Sequence, residues 1–293
     1  MTILILPQSE NAGGAPQPKG PAIPKGRGEI DLTIGVVKMK AFTYRPKTFD
    51  PKKGLLLVFH GADRNAKDYR DAAIPLADRR GCLVVAPYFD KDRFNRRLYM
   101  WGGLMSKEKD GEVEPREKWT WQYVPKLVAL VRAGEGRPDM PYYLLGHSGG
   151  GQFVERMAGF LLTDASRIVA ANPGTHLFPT KEFDYPYGFG GFGKKHEKLS
   201  DPAALKRYLA QPLTLYLGTA DTKRDKPLDV SDPADKQGAN RYERGRNAFN
   251  TARRLAENYT WEFNWRLVEA KGVGHDEKAM FEHKNCETAL FGR

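Results

Sequence analysis

The sequence predicts an α/β fold: a mostly parallel central sheet flanked by helices, with antiparallel edge strands at the N-terminus. Three observations carry this. Continuous apolar runs such as "GLLLVFHG", "CLVVAPYF" and "MPYYLLG" read as strands buried on both faces. Segments with helical spacing alternate with those runs, the pattern of strand–helix–strand units. One earlier stretch, "IDLTIGVVKMKAFTYRP", instead alternates apolar with polar residues, as a half-buried antiparallel strand or hairpin does.

The elements follow in order. Residues 1–28 are rich in Pro, Gly, Ala and Lys, a composition that builds no core, and read as an N-terminal tail. Residues 29–293 form the folded domain. After the edge strands and "GLLLVFHG", the spacing of "NAKDYRDAAIPLADRRG" predicts one helix with a glycine stop. "CLVVAPYF" is the next strand, and an irregular stretch with Trp101, Gly102 and Gly103 leads to a helix over "WTWQYVPKLVALVRAG". "MPYYLLG" is a third buried strand, followed by a helix over "GGQFVERMAGFLLTDA". "RIVAANPG" and "PLTLYLGTAD" are two more strands. A helix over "NRYERGRNAFNTARRLAENY", a last strand and loop over "FNWRLVEAKGVGHD" and a closing helix over "EKAMFEHKNCETALFG" complete the chain. No internal repeat is present.

Composition narrows the function classes. A length of 293 residues suits one large α/β domain. The net charge of +11 raises the question of nucleic acid, but the basic residues are scattered among acidic ones in short groups such as "PKKG", "DRRG" and "RYERGR". No zinc-finger, basic-zipper or RNA-recognition pattern accompanies them, so a soluble basic surface is expected and no nucleic-acid partner. The two cysteines, Cys82 and Cys286, have no partner at metal spacing and read as buried free thiols, with a single disulfide left open. No metal site and no membrane partner are expected, since no apolar stretch reaches the roughly 20 residues that span a bilayer. "MTILILPQ" lacks a basic start and is too short for a signal-peptide core. The expected location is the cytoplasm, or the periplasm or exterior if a leader has been removed.

The chemistry concentrates in "YYLLGHSGGGQFVERMAGF". Gly146–Gly150 match G-x-S-x-G between a buried strand and a helix, the context of the nucleophile elbow of the α/β-hydrolase fold. There Ser148 must occupy a sharp, strained turn that lifts its hydroxyl clear of the sheet. Gly146 and Gly150 omit side chains that would collide across that turn. The helix beginning under the serine offers free N–H groups and a dipole to developing negative charge, and Gly149 supplies one oxyanion donor.

A serine is a weak nucleophile without a base. Of the six histidines, His147 is expected to point away along the strand, His176 and His196 fall in a loop region, and His283 falls in the last helix. His275, in "GVGHD" after the last strand, is where this architecture carries its base, beyond the carboxyl ends of the strands. The orienting acid is Asp221 of "LTLYLGTADT", just after a strand and between serine and histidine in chain order; Asp225 and Asp229 are nearby alternatives. "VFHGA" provides the second oxyanion donor from Ala62, or from Gly61, with His60 anchoring the loop.

With "HGA", "GHSGG", "GTAD" and "GVGHD" in this order, residues 30–293 resemble an α/β-hydrolase of the polyhydroxybutyrate depolymerase-like and feruloyl-esterase-like group. The stretch from "LLLVFHGADRNAKDYRDAAIPLADRRG" to "CLVVAPYF" and the stretch from "QGANRYERGRNAFNTARRLAENY" to "KGVGHD" carry the likeness along the chain. The resemblance implies a serine esterase with a Ser148–Asp221–His275 triad, no cofactor and a small-molecule ester substrate. Secreted polymer depolymerases carry a leader, often a binding domain, and many cysteines. None is seen here, which points to a small, aromatic or hydroxyacyl ester rather than a polymer.

Around the triad, Thr175–Ser200 is long, aromatic and Gly-rich and reads either as a substrate-covering lid or as a surface loop tucked onto the domain. His176 and Phe178 within it, together with Trp101, are the candidate substrate contacts, while Trp119 and Trp121 read as packing. Arg241 and Arg244 read as a solvated helix face, or as partners of an acidic substrate group. A peptidase or a polyester depolymerase on the same fold, and a non-catalytic binding protein, are the alternative functions. The oligomeric state is left open.

Overall fold

The computed structural model describes residues 20–292. Its frame is one eight-stranded sheet in the order β1-β2-β4-β3-β5-β6-β7-β8. The strands are β1 (Gly26–Ile34), β2 (Val37–Arg45), β3 (Leu55–Phe59), β4 (Leu83–Pro87), β5 (Tyr142–His147), β6 (Arg167–Ala171), β7 (Leu213–Gly218) and β8 (Arg266–Ala270). β1 and β2 form an antiparallel hairpin, β2 adds antiparallel to β4, and every other pairing is parallel. The hairpin turn is two residues long, with Gly35 at φ 63° in the region such turns give to glycine.

The helices are α1 (Ala66–Ala72), α2 (Ile74–Arg80), α3 (Arg96–Tyr99), α4 (Tyr123–Gly134), α5 (Gly149–Phe160), α6 (Pro202–Leu209), α7 (Asp232–Asp235), α8 (Arg241–Tyr259), α9 (Glu277–Glu282) and α10 (Asn285–Phe291). They cover both faces of the sheet's centre, which explains why β3 and β4 are apolar throughout, whereas β1 and β2 alternate buried with more exposed residues. Leu55, Leu57 and Phe59 of β3 point into the core shared with α4, α5 and α8. Leu56 and Val58, the alternate residues, point into the core shared with α1, α2, α9 and α10. Cys82 and Cys286 are free, buried in this second core.

Three expectations change. "NAKDYRDAAIPLADRRG" is two helices rather than one, because Pro75 cannot donate to the helical ladder; the break falls at Ala73. The closing helix is likewise two, divided where His283 becomes extended (φ −62°, ψ 136°). α6 was not expected at all, yet Asp201 caps it through the Ala204 N–H at 2.7 Å and Pro202 opens it, both ordinary start signals.

The tail boundary also moves. Residues 1–19 of the expected tail lie outside the described residues. Residues 20–28, however, belong to the domain rather than the tail. Ile23 is buried in the first core, its N–H donates to Glu135 at 3.0 Å, and Gly26–Gly28 open β1. Composition misled because a short Pro/Gly-rich stretch was read as a block, although one isoleucine suffices to dock it.

The sheet places the site. The chain winds outward from β3 to β4 and then returns to lay β5 on the other side of β3. The adjacent carboxyl ends of β3 and β5 are therefore the switch point where ligands bind in such sheets. Among the described residues no helix is long and apolar enough to cross a membrane, and no group of three or more His, Cys, Asp or Glu is placed to hold a metal ion. For the domain boundary, Ile23→Ala is expected to lower stability by about 2–5 kcal/mol in urea unfolding; a change below about 0.5 kcal/mol would return residues 20–25 to the tail.

Candidate active site

Ser148 sits between β5 and α5 at φ 55°, ψ −117°, a strained backbone for a residue with a side chain. The turn is held by the Ser148 N–H, which donates to the Ala171 carbonyl at 2.9 Å. Its glycines are sterically required. A Cβ on Gly146 would lie 2.1 Å from the Gly150 oxygen, and one on Gly150 would lie 2.1 Å from the Phe59 oxygen. The helix thus approaches the end of β3 at backbone distance.

His275 Nε2 lies 3.0 Å from Ser148 Oγ, and His275 Nδ1 lies 2.7 Å from Asp221 Oδ2. A carboxylate only accepts, so Nδ1 carries the proton and Nε2 is left to accept from the serine hydroxyl. Asp221 is buried, while His275 keeps a partly exposed edge. The two loops that carry them are tied together. The Ala220 N–H donates to Val273 O at 2.9 Å. Asn172, beyond β6, accepts from the Gly218 N–H at 2.7 Å and donates to Gly274 O at 3.0 Å. Asn172 is a supporting residue that sequence reading missed; the signal was an Asn at a strand end before Pro173, where its backbone adopts φ 42°.

The loop after β3 closes the other side. Ala62 N–H has no acceptor among the described residues, and it lies 3.3 Å from where a Cβ on Gly149 would stand. The N–H of Gly149, the first helical residue, has no intrahelical partner. Two free donors therefore converge beside Ser148. His60 fastens this loop: its Nδ1–H donates to Gly61 O at 2.9 Å, and its Nε2 accepts from the Phe89 N–H at 3.1 Å. The Tyr99 hydroxyl adds a bond to His60 O at 2.8 Å. Burial pushes the His60 imidazole down to about 3, so it stays neutral. A cleft of about 430 Å³ opens beside Ser148, with Ala62, Met100, Gly149 and Leu228 among its walls and Arg96, Lys226 and Arg241 as cations.

The structure of poly(3-hydroxybutyrate) depolymerase LpqC from Bordetella parapertussis superposes with a TM-score of 0.80 at 33% identity, over 90% of this chain and 89% of that one. This chain is an α/β-hydrolase of the polyhydroxybutyrate depolymerase-like group. Poly(aspartic acid) hydrolase-1 from Sphingomonas sp. KT-1 matches equally well, with a TM-score of 0.80 and 32% identity over 89% of this chain and 96% of that one. An S-formylglutathione hydrolase from Agrobacterium tumefaciens shares the fold alone, at 15% identity and a TM-score of 0.53 over 87% and 90% of the two chains. No family model matches the chain, and no curated protein does. The chain is thus a hydrolase of the esterase and depolymerase type.

In this α/β-hydrolase the expected substrate contacts need correction. His176 does not reach the cleft. It is fully buried, with Nδ1 2.9 Å from Glu155 of α5. Phe178 is also buried, edge-on to Phe183, and is not among the residues lining the cleft. Both belong to Thr175–Ser200, which is mostly tucked onto the domain. Arg156 of α5 holds it through Thr175 Oγ1 at 2.9 Å and Pro186 O at 3.0 Å, and Phe189 packs on Phe160. Trp101 lines a neighbouring cavity of about 530 Å³ with Tyr185 and Tyr187, which shares Arg96, Asp229 and Ser231 with the cleft but does not include Ser148. Trp119 and Trp121 are buried, Trp121 wholly, with its indole N–H on Phe153 O at 3.1 Å.

His147 does not point away: its ring centroid is 4.8 Å from that of His275, and its Nδ1 lies 3.0 Å from the Tyr69 hydroxyl. Burial, with the nearby His275 and Arg241, drives its imidazole well below the usual range, so it remains neutral. Arg241 and Arg244 are buried rather than solvated.

His60 makes the acid response of the hydrolase predictable. Its folded value, about 3, lies below the ordinary 6.5. Its stabilising contribution is therefore complete above pH 6.5 and is lost as pH falls from 6.5 toward 3. The stability advantage of wild type over His60→Asn should narrow across that window, by at most about 1.4 kcal/mol per pH unit. A gap that stays constant in urea unfolding from pH 7 to pH 4 would contradict the neutral, buried assignment.

Proposed function

We propose that the chain is a serine esterase that cleaves carboxylic esters through an acyl-enzyme intermediate, with Ser148 as nucleophile, His275 as base and Asp221 as the orienting acid. The observation that carries this reading is the hydrogen-bonded line from Asp221 Oδ2 through His275 to Ser148 Oγ, at 2.7 and 3.0 Å. Ser148 Oγ attacks the ester carbonyl as its proton passes to His275 Nε2. Asp221 stabilises the imidazolium and keeps the ring in the required tautomer. The Ala62 and Gly149 N–H groups receive the developing oxyanion. His275 then returns the proton to the leaving alcohol. A water molecule, deprotonated by the same nitrogen, releases the acid and restores Ser148. No cofactor enters these steps. Met100 and Leu228 beside the serine suit a small or hydroxyacyl group, and the aromatic cavity around Trp101 suits an aromatic one.

A second reading is favoured by one comparison. Poly(aspartic acid) hydrolase-1 is named for a polyamide, and the triad chemistry serves amides as well as esters. Matched ester and amide substrates separate the two.

The test is hydrolysis of p-nitrophenyl esters from acetate to octanoate by wild type and by Ser148→Ala. Wild type is expected to turn over the short esters, and Ser148→Ala to lose a factor of roughly 10⁴–10⁶ in kcat. His275→Ala should behave alike, because the two act as a unit. Near wild-type turnover by Ser148→Ala would overturn the assignment.

A further inference from the structure

Asp221 is engaged on both of its oxygens. Oδ2 takes the His275 proton donor, while Oδ1 lies 3.4 Å from Nη1 of Arg241. Arg241 is the first residue of α8 and is 2% exposed. Its other terminal nitrogen, Nη2, donates to Asp225 Oδ1 at 2.8 Å. One rigid guanidinium thus spans two carboxylates, the buried Asp221 and the partly exposed Asp225.

This arrangement has two opposed electrostatic effects. The guanidinium fork fixes the Asp221 carboxylate so that Oδ2 faces His275. The same positive charge cancels the negative charge that an imidazolium on His275 requires. Asp225 reverses that cancellation: two carboxylates and one guanidinium leave one net negative charge beside the ring. Burial works against ionisation of Asp225, but the hydrogen bond and charge of Arg241, with a further contribution from His275, hold its carboxyl below the usual range. Asp225 thereby places its carboxylate on the Arg241 side of the Asp221–His275 couple.

Resting on the serine-esterase reading, we propose that Arg241 and Asp225 are a positioning and charge-balancing pair for the Asp221–His275 couple. Arg241 locks the acid in its working orientation, and Asp225 returns the negative charge that Arg241 removes. Together they set the lower edge of the pH range in which the enzyme turns over.

The other groups around the couple do not duplicate this role. His147, from β5, is neutral and bonded to Tyr69 of α1. Asp276 and Glu277 begin the helix after His275; Asp276 caps it through the Ala279 N–H at 2.6 Å, and Glu277 is 3.5 Å from the Asn65 amide. Arg244, one turn along α8, is paired with Asp235. Among the described residues, Arg241 and His275 alone make ion pairs with Asp221.

The experiment is the pH profile of kcat/KM for p-nitrophenyl acetate in wild type, Asp225→Asn, Arg241→Met and Arg241→Lys, with Asp235→Asn as a charge-matched control. The acidic limb should move to lower pH in Asp225→Asn and to higher pH in Arg241→Met, each by about half a unit or more. Arg241→Met should also lose about tenfold or more in kcat with little change in KM. Arg241→Lys, which keeps the charge but not the fork, should leave the limb in place while losing kcat. Asp235→Asn should leave the limb at its wild-type position. Limbs that stay put in both Asp225→Asn and Arg241→Met, or that move in the same direction, overturn the proposal. Should Arg241→Met fail to fold, the sign of the shift in the partly exposed Asp225→Asn decides alone. Labelling of wild type by a fluorophosphonate keeps the two readings apart. Failure to label Ser148 removes the serine-esterase reading, whereas normal labelling with an unresponsive limb removes only the pair.

Discussion

The Gly150 backbone packs against the carbonyl of Phe59 so closely that no side chain fits between them, and the corner that carries Ser148 is built on this contact. It brings the start of α5 against the end of β3, so Gly149 of the helix and Ala62 of the loop after β3 line the same cleft as Ser148. Ser148 turns this corner at positive φ. The sheet order makes the contact possible, because β3 and β5 are neighbours although β4 and its helices intervene in sequence. Everything else in the site hangs from this corner: the loop pinned by His60, the cleft, and the histidine that reaches across from beyond β8.

A few charged and titratable side chains are enclosed in the domain. The side chains of Arg156, Arg244, Glu155 and His176 are fully buried, and each is held by backbone groups or by a facing polar side chain. The Glu155–His176 contact and the Arg156 bonds staple Thr175–Pro186 to α5, the helix that begins beside Ser148. Breaking such a buried contact by removing one partner is costly, since the other polar group is left unsatisfied. The long aromatic segment is accordingly part of the scaffold behind the cleft, and the cleft's outer wall comes instead from Lys226–Ser231.

Most of the fold was legible because its strands are apolar on both faces, a pattern that little else in a chain of this length produces. The elbow was legible because strand, Gly-His-Ser-Gly-Gly and helix follow one another without a gap, and sequence order alone singled out the residues that the structure joins at 2.7 and 3.0 Å. What escaped was set by distant neighbours. Nothing in "RYERGR" distinguishes a buried arginine from a solvated one, since the difference is the approach of Asp221 and Asp225 from another loop. The place of His176 in a loop conceals its burial, whose signal lies elsewhere, in the adjacent charged residues Glu155 and Arg156 on a helix that is buried almost throughout. α6 is announced by Asp201-Pro202, but with eight residues, three of them buried, it shows little of the apolar periodicity that marks the longer helices.

The two thiols give the molecule a built-in gauge of its own opening. Cys82 at the foot of β4 and Cys286 on α10 lie in the same core, on the face covered by α1, α2, α9 and α10. Burial pushes both up to about 12, so they stay protonated and inert while that face is closed. α9 and α10 follow His275 directly in the chain. A thiol-specific reagent therefore reads, residue by residue, how often the helices anchoring the histidine loop lift from the sheet, independently of any turnover.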